Sequence, residues 1–362
     1  MTIDFLFKML FKSISAAILV AQHTPLLVEK IFLPEDLSFG QVLVQVHYSG
    51  ICGSQLGEIA GVKGPDPYLP HLLGHEGSGI VHEVGPGVQY VKVGDKVVMH
   101  WRPGRGIQAE PPKYHWGDKV LNAGYVTTFN EYAVVSENRL TPLPSDYPLE
   151  YAALYGCAVT TGLGVIENNA QLRMGQSIVV VGAGGVGLNI IQGAQLHSGY
   201  PIVAVDRFDN RLELAKQVGA THILNNSNEK DWMSKIRDIV GNSGADVVVD
   251  NTGNPNVISQ CYELTKDQGR TILVGVPAKG KETQIYTLPL HFGKVLTGSH
   301  GGNGNPSEDI PRYLQLEKLG KLQLKPLFTE RFTLEQINEA IERMRSGDLV
   351  GRALIEMNGV GA

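Results

Sequence analysis

Apolar and polar positions change rhythm twice along this chain. Up to about Leu140 the apolar residues come in short runs, QVLVQVHYSG (41–50), GSGIVHEVGPGV (77–88) and VKVGDKVVM (91–99), each containing or ending at Gly, Pro or Asp. Such runs predict strands divided by turns. No amphipathic helix of good length interrupts them, so an all-β barrel or sandwich is expected here. From Leu149 the texture changes. YAALYGCAVTTGLGVIENN (151–169) predicts helix, and SIVVVGAGGVGLNIIQGAQL (177–196) predicts a buried strand, a glycine turn and a helix. Further strands are expected in PIVAVDR (201–207), HILNN (222–226), ADVVVDNTG (245–253) and GRTILVGV (269–276). Helices over 210–220, Lys230–Ile239 and Asn256–Leu264 alternate with them. This alternation describes a doubly wound parallel sheet, and the continuous apolar strands fit a sheet covered on both faces. After about Leu290 the pattern is mixed, ending in LEQINEAIERMRSGD (334–348) and a last strand, GRALIEM (351–357).

A chain of 362 residues exceeds the size of a single growing core, so two domains are expected. With 43% hydrophobic and 19% charged residues it can bury that core, which excludes a disordered chain. A net charge of −5 and no Lys/Arg block argue against nucleic-acid or anionic-membrane partners. Three widely spaced cysteines, Cys52, Cys157 and Cys261, form no disulfide framework and favour a reducing compartment, the cytoplasm. The start, MTIDFLFKMLFKSISAAILVA, departs from a secretion signal: Asp4, Lys8 and Lys12 break the pattern, and Ala16–Val20 suit a first strand. No apolar run reaches the ~18 residues of a membrane span.

The strongest local signal is Gly182-Ala183-Gly184-Gly185-Val186-Gly187, placed between a strand and a helix. In that setting Gly182 permits the tight turn, Gly184 lets backbone approach a pyrophosphate, and Gly187 allows close helix–sheet packing. The helix N-terminus then directs N–H groups and partial positive charge at phosphates. Nineteen residues beyond Gly187 the next strand ends in Asp206, placed to accept from ribose hydroxyls and to repel a 2′-phosphate. Arg207 follows directly and would soften that repulsion. NAD is therefore the expected cofactor.

Cys52, His75 and Cys157 are individually ordinary, since a free cysteine is usually a small buried hydrophobe. Their settings are less so: Cys52 in GICGS and His75 in LGHEG fall in turns beside strands, and Cys157 where the β region hands over to the helical one. Two thiolates and an imidazole make a reasonable zinc set with a fourth position open. Spacing permits this site without requiring it.

In order, GICGS, GHEGSGIVHEVGPGV, VGDKV, NEYAVV, GCAVTTG, GAGGVG, TGSHGG, DIPRYLQL and INEAIERMRSGD resemble the zinc-dependent alcohol dehydrogenases of the medium-chain dehydrogenase/reductase family, from about Ser15 to Met357. Within it, the chain resembles the branch that holds the thiol-dependent formaldehyde dehydrogenases and ordinary alcohol dehydrogenases. The resemblance implies an α/β fold: a GroES-like catalytic domain over 1–160 and 296–362, and a Rossmann NAD-binding domain over 161–295. It makes Cys52, His75 and Cys157 the ligands of one catalytic zinc. Glu76 becomes the acid beside the metal, and Ser54 the hydroxyl that bonds the substrate oxygen and relays its proton. Thr161 becomes a nicotinamide contact, Asp206 and Arg211 the adenosine-ribose pair, Gly185 and Val186 part of the phosphate loop, and Arg352 a phosphate contact. It also implies a homodimer or homotetramer, and hydride transfer between an alcohol and the nicotinamide, with zinc polarising the oxygen.

Three departures stand out. Gln55 occupies the position of a carboxylate that commonly orients the histidine ligand; an amide oxygen can accept from the imidazole but lends less charge to the metal. The structural-zinc lobe is replaced by Trp101–Gly124, without cysteine, which excludes a four-cysteine zinc site. Arg102, Arg105, Lys113, His115 and Trp116 there could meet a polar substrate or simply be solvated. Gly53 and Gly57 replace a common Arg and a relay His. A zinc-free quinone or enone reductase and a non-catalytic NAD-binding protein are competing readings. The Cys/His set argues against the first, and the retained Ser54 and Glu76 against the second. A simple alcohol, a polyol or sugar derivative, and a thiol–formaldehyde adduct stay open as substrates.

Overall fold

The computed structural model describes residues 13–229 and 231–357. Asp4, Lys8 and Lys12, which break the pattern of a secretion signal, lie outside the described residues, whereas Ala16 to Leu19 fall in the strand Ser13–Leu19. The β region forms two sheets. Ser13–Leu19, Leu27–Phe32, Lys113–Trp116, Lys119–Asn122 and His71–Leu72 close into a barrel. A second sheet runs in the order Leu140–Pro142, Lys96–His100, Glu76–Val84, Gln41–Gly50, Arg352–Glu356 and Phe328–Thr333, with Tyr132–Ser136 also pairing to Gln41–Gly50. The last strand thus returns to the first half of the chain, where Leu354 lies opposite Gly50.

The other half is a six-stranded parallel sheet in the order His222–Asn225, Ile202–Asp206, Ile178–Val181, Ala245–Asp250, Thr265–Leu273, Val295–Gly298. Ile178–Val181 is buried along its whole length, and burial of each such side chain contributes about 1.5–3 kcal/mol. The strand order reverses on either side of it, which opens a crevice at the carboxyl ends, where ligands of open α/β sheets bind. Helix Gly185–Leu196 leaves that end and buries Gly187 through Ala194 without interruption. The stretch after Gly298 divides between the halves. Ile310, Tyr313, Leu314, Leu322, Leu324 and Leu327 join the core of the parallel sheet, whereas Phe332, Ile337, Ile341, Ala353 and Ile355 join that of the β region. Among the described residues no single helix is long and apolar enough to cross a membrane.

His100 ends its strand fully buried. Its Nδ1 lies 2.7 Å from the carbonyl of Arg102, so that nitrogen donates, and Nε2 accepts from the Thr141 hydroxyl at 3.0 Å. Burial pushes its pKa down to about 4 from an ordinary 6.5. The unfolded chain therefore binds the proton first, and stability falls as pH drops from 6.5 towards 4. In urea unfolding between neutral pH and the lower value, the native chain is expected to lose about 3 kcal/mol more than His100→Asn. Parallel losses in the two proteins would exclude His100 as the source.

Candidate active site

The site is assembled from three distant stretches. After the strand Gln41–Gly50, Cys52 caps the seven-residue helix Gly53–Ile59, where a turn was expected from the sequence. His75 directly precedes the strand Glu76–Val84, and Cys157 sits between the short helical turns 153–156 and 158–164. One donor atom from each lies within 4.8 Å of the others, and the two sulfurs are 3.9 Å apart. The His75 Nε2 is buried without a hydrogen-bond partner, an arrangement suited to a metal in its place. The thiols act as a pair. The first proton leaves well below the ordinary thiol range, because the remaining S–H of Cys157 donates to the Cys52 sulfur. The second is held well above it by that same hydrogen bond, by burial and by the charge on Cys52. A buried pair ready to carry one negative charge suits a cation.

Behind the donors lies Glu76, fully buried. A Cβ on Gly50 would fall 2.5 Å from its carboxylate and one on Gly156 2.7 Å from its Cα, so both cysteine-bearing segments press against it through glycine. One carboxylate oxygen accepts from the Ala158 N–H at 3.2 Å; the other is 3.5 Å from Arg352. Burial raises the carboxyl pKa while Arg352 draws it down. Arg352 is not at the surface. Its Nη1 donates to the carbonyl of Ile51 at 2.6 Å, its Nε has no partner, and its guanidinium lies against Gly185, whose Cβ would come within 2.3 Å.

That contact joins the metal donors to the glycine loop. Gly182 takes φ +99°, a conformation other residues rarely adopt. A Cβ on Gly184 would meet open space, whereas one on Gly187 would fall 2.0 Å from the carbonyl oxygen of Gly182. Val186 packs partly buried against the sheet core. Asp206, at the end of the adjacent strand, accepts from the Ala183 N–H at 2.7 Å and from the Arg207 and Phe208 N–H groups at 2.7 and 3.1 Å. Its carboxylate therefore sits beside the loop with lone pairs to spare. Arg207 and Arg211 both stack on Phe208, at 5.4 and 4.7 Å. Thr161 is buried in the helix that follows Cys157.

Two residues in the site's wall escaped sequence reasoning. The Trp101 ring lies 6.4 Å from that of His75 and meets His300 edge-on at 4.9 Å. Their only signal was position, one opening the replaced lobe and the other inside TGSHGG. Arg102 is committed to this wall, donating to Gly304 O at 3.1 Å and to His300 Nδ1 at 2.9 Å. Elsewhere in the replaced lobe, Arg105 stacks on Tyr90 at 5.6 Å, and Lys113, His115 and Trp116 belong to a hairpin of the barrel, with His115 opposite Phe32. The amide of Gln55 also differs from expectation. Its nitrogen, not its oxygen, faces His75 Nδ1, because the oxygen accepts from the Cys52 N–H at 2.9 Å.

Residues 38–145 match the alcohol dehydrogenase GroES-like domain and residues 185–318 the zinc-binding dehydrogenase domain. The chain is 31% identical over 373 residues to the class-3 alcohol dehydrogenase of Cereibacter sphaeroides, covering 94% of this chain and 99% of that one. This chain belongs to the zinc-dependent alcohol dehydrogenases of the medium-chain dehydrogenase/reductase family. An S-(hydroxymethyl)glutathione dehydrogenase of Haemophilus influenzae is also 31% identical, over 92% of this chain and 94% of the relative. Among solved structures, benzyl alcohol dehydrogenase from Acinetobacter calcoaceticus matches with a TM-score of 0.85 at 29% identity, over 96% and 99% of the two chains. Like its relatives, this alcohol dehydrogenase is an oxidoreductase acting on CH–OH groups and combines a GroES-like domain with a Rossmann-type one.

The glycine loop of this dehydrogenase offers a test by volume. Gly187→Ala sets a methyl group against backbone that has no side chain to yield, and is expected to lose about 1–3 kcal/mol. Gly184→Ala adds the same group into open space and should change stability by less than about 1 kcal/mol. Thermal unfolding of both variants checks the contrast; equal losses would mean that space at the loop does not decide.

Proposed function

We propose that this enzyme transfers hydride reversibly between an alcohol and NAD, with one zinc held by Cys52, His75 and Cys157. The observation that carries this reading is the convergence of the three donors, the unpartnered Nε2 among them, and the link through Arg352 to the glycine loop. Zinc bound there supplies Lewis-acid polarisation of the substrate oxygen, and NAD supplies the hydride acceptor. Ser54, two residues after Cys52 and with its buried hydroxyl unpartnered, would accept the hydroxyl proton of the substrate while giving up its own, relaying the proton onward to solvent. Glu76 sets the field behind the donors. The loop from Gly182 through Gly184, Gly185 and Val186 to Gly187 cradles the pyrophosphate, with the free Nε of Arg352 beside it. Thr161 borders the nicotinamide. Asp206, with Arg211, holds the adenosine ribose, and Arg207 flanks it.

Among candidate substrates we favour a neutral alcohol with an apolar body. Trp101 presents ring surface beside His75, with His300 edge-on to it, and Arg102 is already bonded to His300 and Gly304. A polyol or sugar derivative and a thiol–formaldehyde adduct are the alternatives that an NAD-reduction screen separates. A homodimer or homotetramer is proposed as well, since the strand Val295–Gly298 edges the parallel sheet and the preceding Tyr286 and Phe292 are exposed. A reducing cytoplasm suits three free buried thiols.

Cys157→Ser is expected to lose most bound zinc and nearly all hydride transfer while remaining folded. Cys261→Ala, which alters a fully buried core position in the parallel-sheet half, should keep both. Metal analysis by mass spectrometry decides, and full zinc in Cys157→Ser would remove it from the ligand set.

Hydrogen bonds to a charged partner contribute about 1.5–3 kcal/mol, so the native enzyme should prefer NAD to NADP by well over tenfold. Asp206→Ser should weaken NAD and admit NADP, with Arg207 then pairing to the 2′-phosphate. Steady-state kinetics with both cofactors provides the check. Equal use of the two by the native enzyme would show that Arg207 governs the pocket instead.

A further inference from the structure

Gln55 is buried beside the metal donors, on the first turn of the helix that Cys52 caps. It faces two groups. Its Oε1 accepts from the backbone N–H of Cys52 at 2.9 Å, and its Nε2 lies against Nδ1 of His75. The other ring nitrogen of His75, Nε2, is the one left unpartnered among the thiols. An imidazole that ligates a metal through Nε2 carries its proton on Nδ1 and needs an acceptor there. Gln55 presents an N–H to that position, so two donors would meet. Turning the amide over does not help: the oxygen then reaches Nδ1–H, but the NH₂ is brought against the N–H of Cys52. A primary amide has one acceptor oxygen and two donor hydrogens, whereas a carboxylate accepts at both ends. The conflict is therefore independent of which way the amide points.

We propose that Gln55 is a positioning residue that keeps the metal centre of this enzyme loosely held, because its one acceptor oxygen must serve two N–H donors, those of Cys52 and of metal-ligating His75. The inference rests on the zinc assignment of the preceding section. It makes Gln55, rather than the three ligands, the residue that separates the metal affinity of this chain from that of a carboxylate-bearing one. Partners that orient a ligating histidine typically change metal affinity by 10–100-fold.

The test compares the native full-length enzyme with Gln55→Glu, whose carboxylate can accept from Cys52 and His75 together. Zinc dissociation constants are measured by competition with a chromogenic chelator, and melting temperatures with and without zinc. Gln55→Glu should bind zinc 10–100-fold more tightly. Its zinc-induced rise in melting temperature should grow while the metal-free protein is no more stable than the native one. A merely structural role would instead raise the metal-free melting temperature. Gln55→Asp repeats the comparison should the glutamate variant not fold. Equal zinc affinity in native and variant proteins would overturn the role of Gln55 and leave the zinc assignment standing. Zinc bound by none of the proteins would overturn both, and zinc bound by a carboxylate variant alone would support the inference.

Discussion

Two opposite charges, Glu76 and Arg352, lie 3.5 Å apart with almost no access to solvent. The Cys/His donors and the glycine loop are arranged about them. Glu76 stands behind Cys52 and Cys157, and Arg352 extends from the returning last strand to touch both the Ile51 carbonyl and the glycine loop. Burying two ions is costly, and such a pair persists only where each charge compensates the other; removing one partner typically costs about 3–5 kcal/mol. The two halves of the chain are thus tied between the cysteine and histidine donors and the glycine loop. The Nε of Arg352 and one oxygen of Glu76 have no hydrogen-bond partner, so the pair retains capacity for incoming ligands.

The replacement of the cysteine-rich lobe has a structural counterpart in the barrel. Residues 113–122 form a hairpin that pairs with Leu27–Phe32 and His71–Leu72, with Tyr114 and Leu121 fully buried. Strand pairing and apolar burial order this hairpin, which needs no metal for the purpose. The first two residues of the replaced lobe belong to the wall of the site. Trp101 lines it, and Arg102 fastens that wall to the stretch around His300.

The division between what was legible and what was not follows range. Five of the six parallel strands, the glycine turn and the β character of the region up to Leu140 were readable, because each is set by local periodicity and turn chemistry; the sixth strand, Val295–Gly298, falls in the stretch of mixed pattern. The family was readable from motifs in order. The short helix after Cys52 was not, since seven residues with two glycines carry little helical pattern, and it forms under the capping contacts of Cys52 and Gln55. The hairpin within 101–124 was missed, since its two four-residue strands carry little alternation and its outer partners, Leu27–Phe32 and His71–Leu72, are far away in sequence.

By itself the sequence determined the element types, the dinucleotide-type turn, and the supply of thiols, imidazole and acid, which are properties of neighbouring residues. The tertiary structure alone decided that Cys52, His75 and Cys157 converge, that Arg352 is buried against Gly185 and Glu76, and that Trp101 and His300 share a wall. It also decided which end of the Gln55 amide meets His75. These are contacts between segments up to three hundred residues apart, as between Ile51 and Arg352. Periodicity cannot encode them, because their geometry is fixed only when the strand order and the burial of both halves are complete.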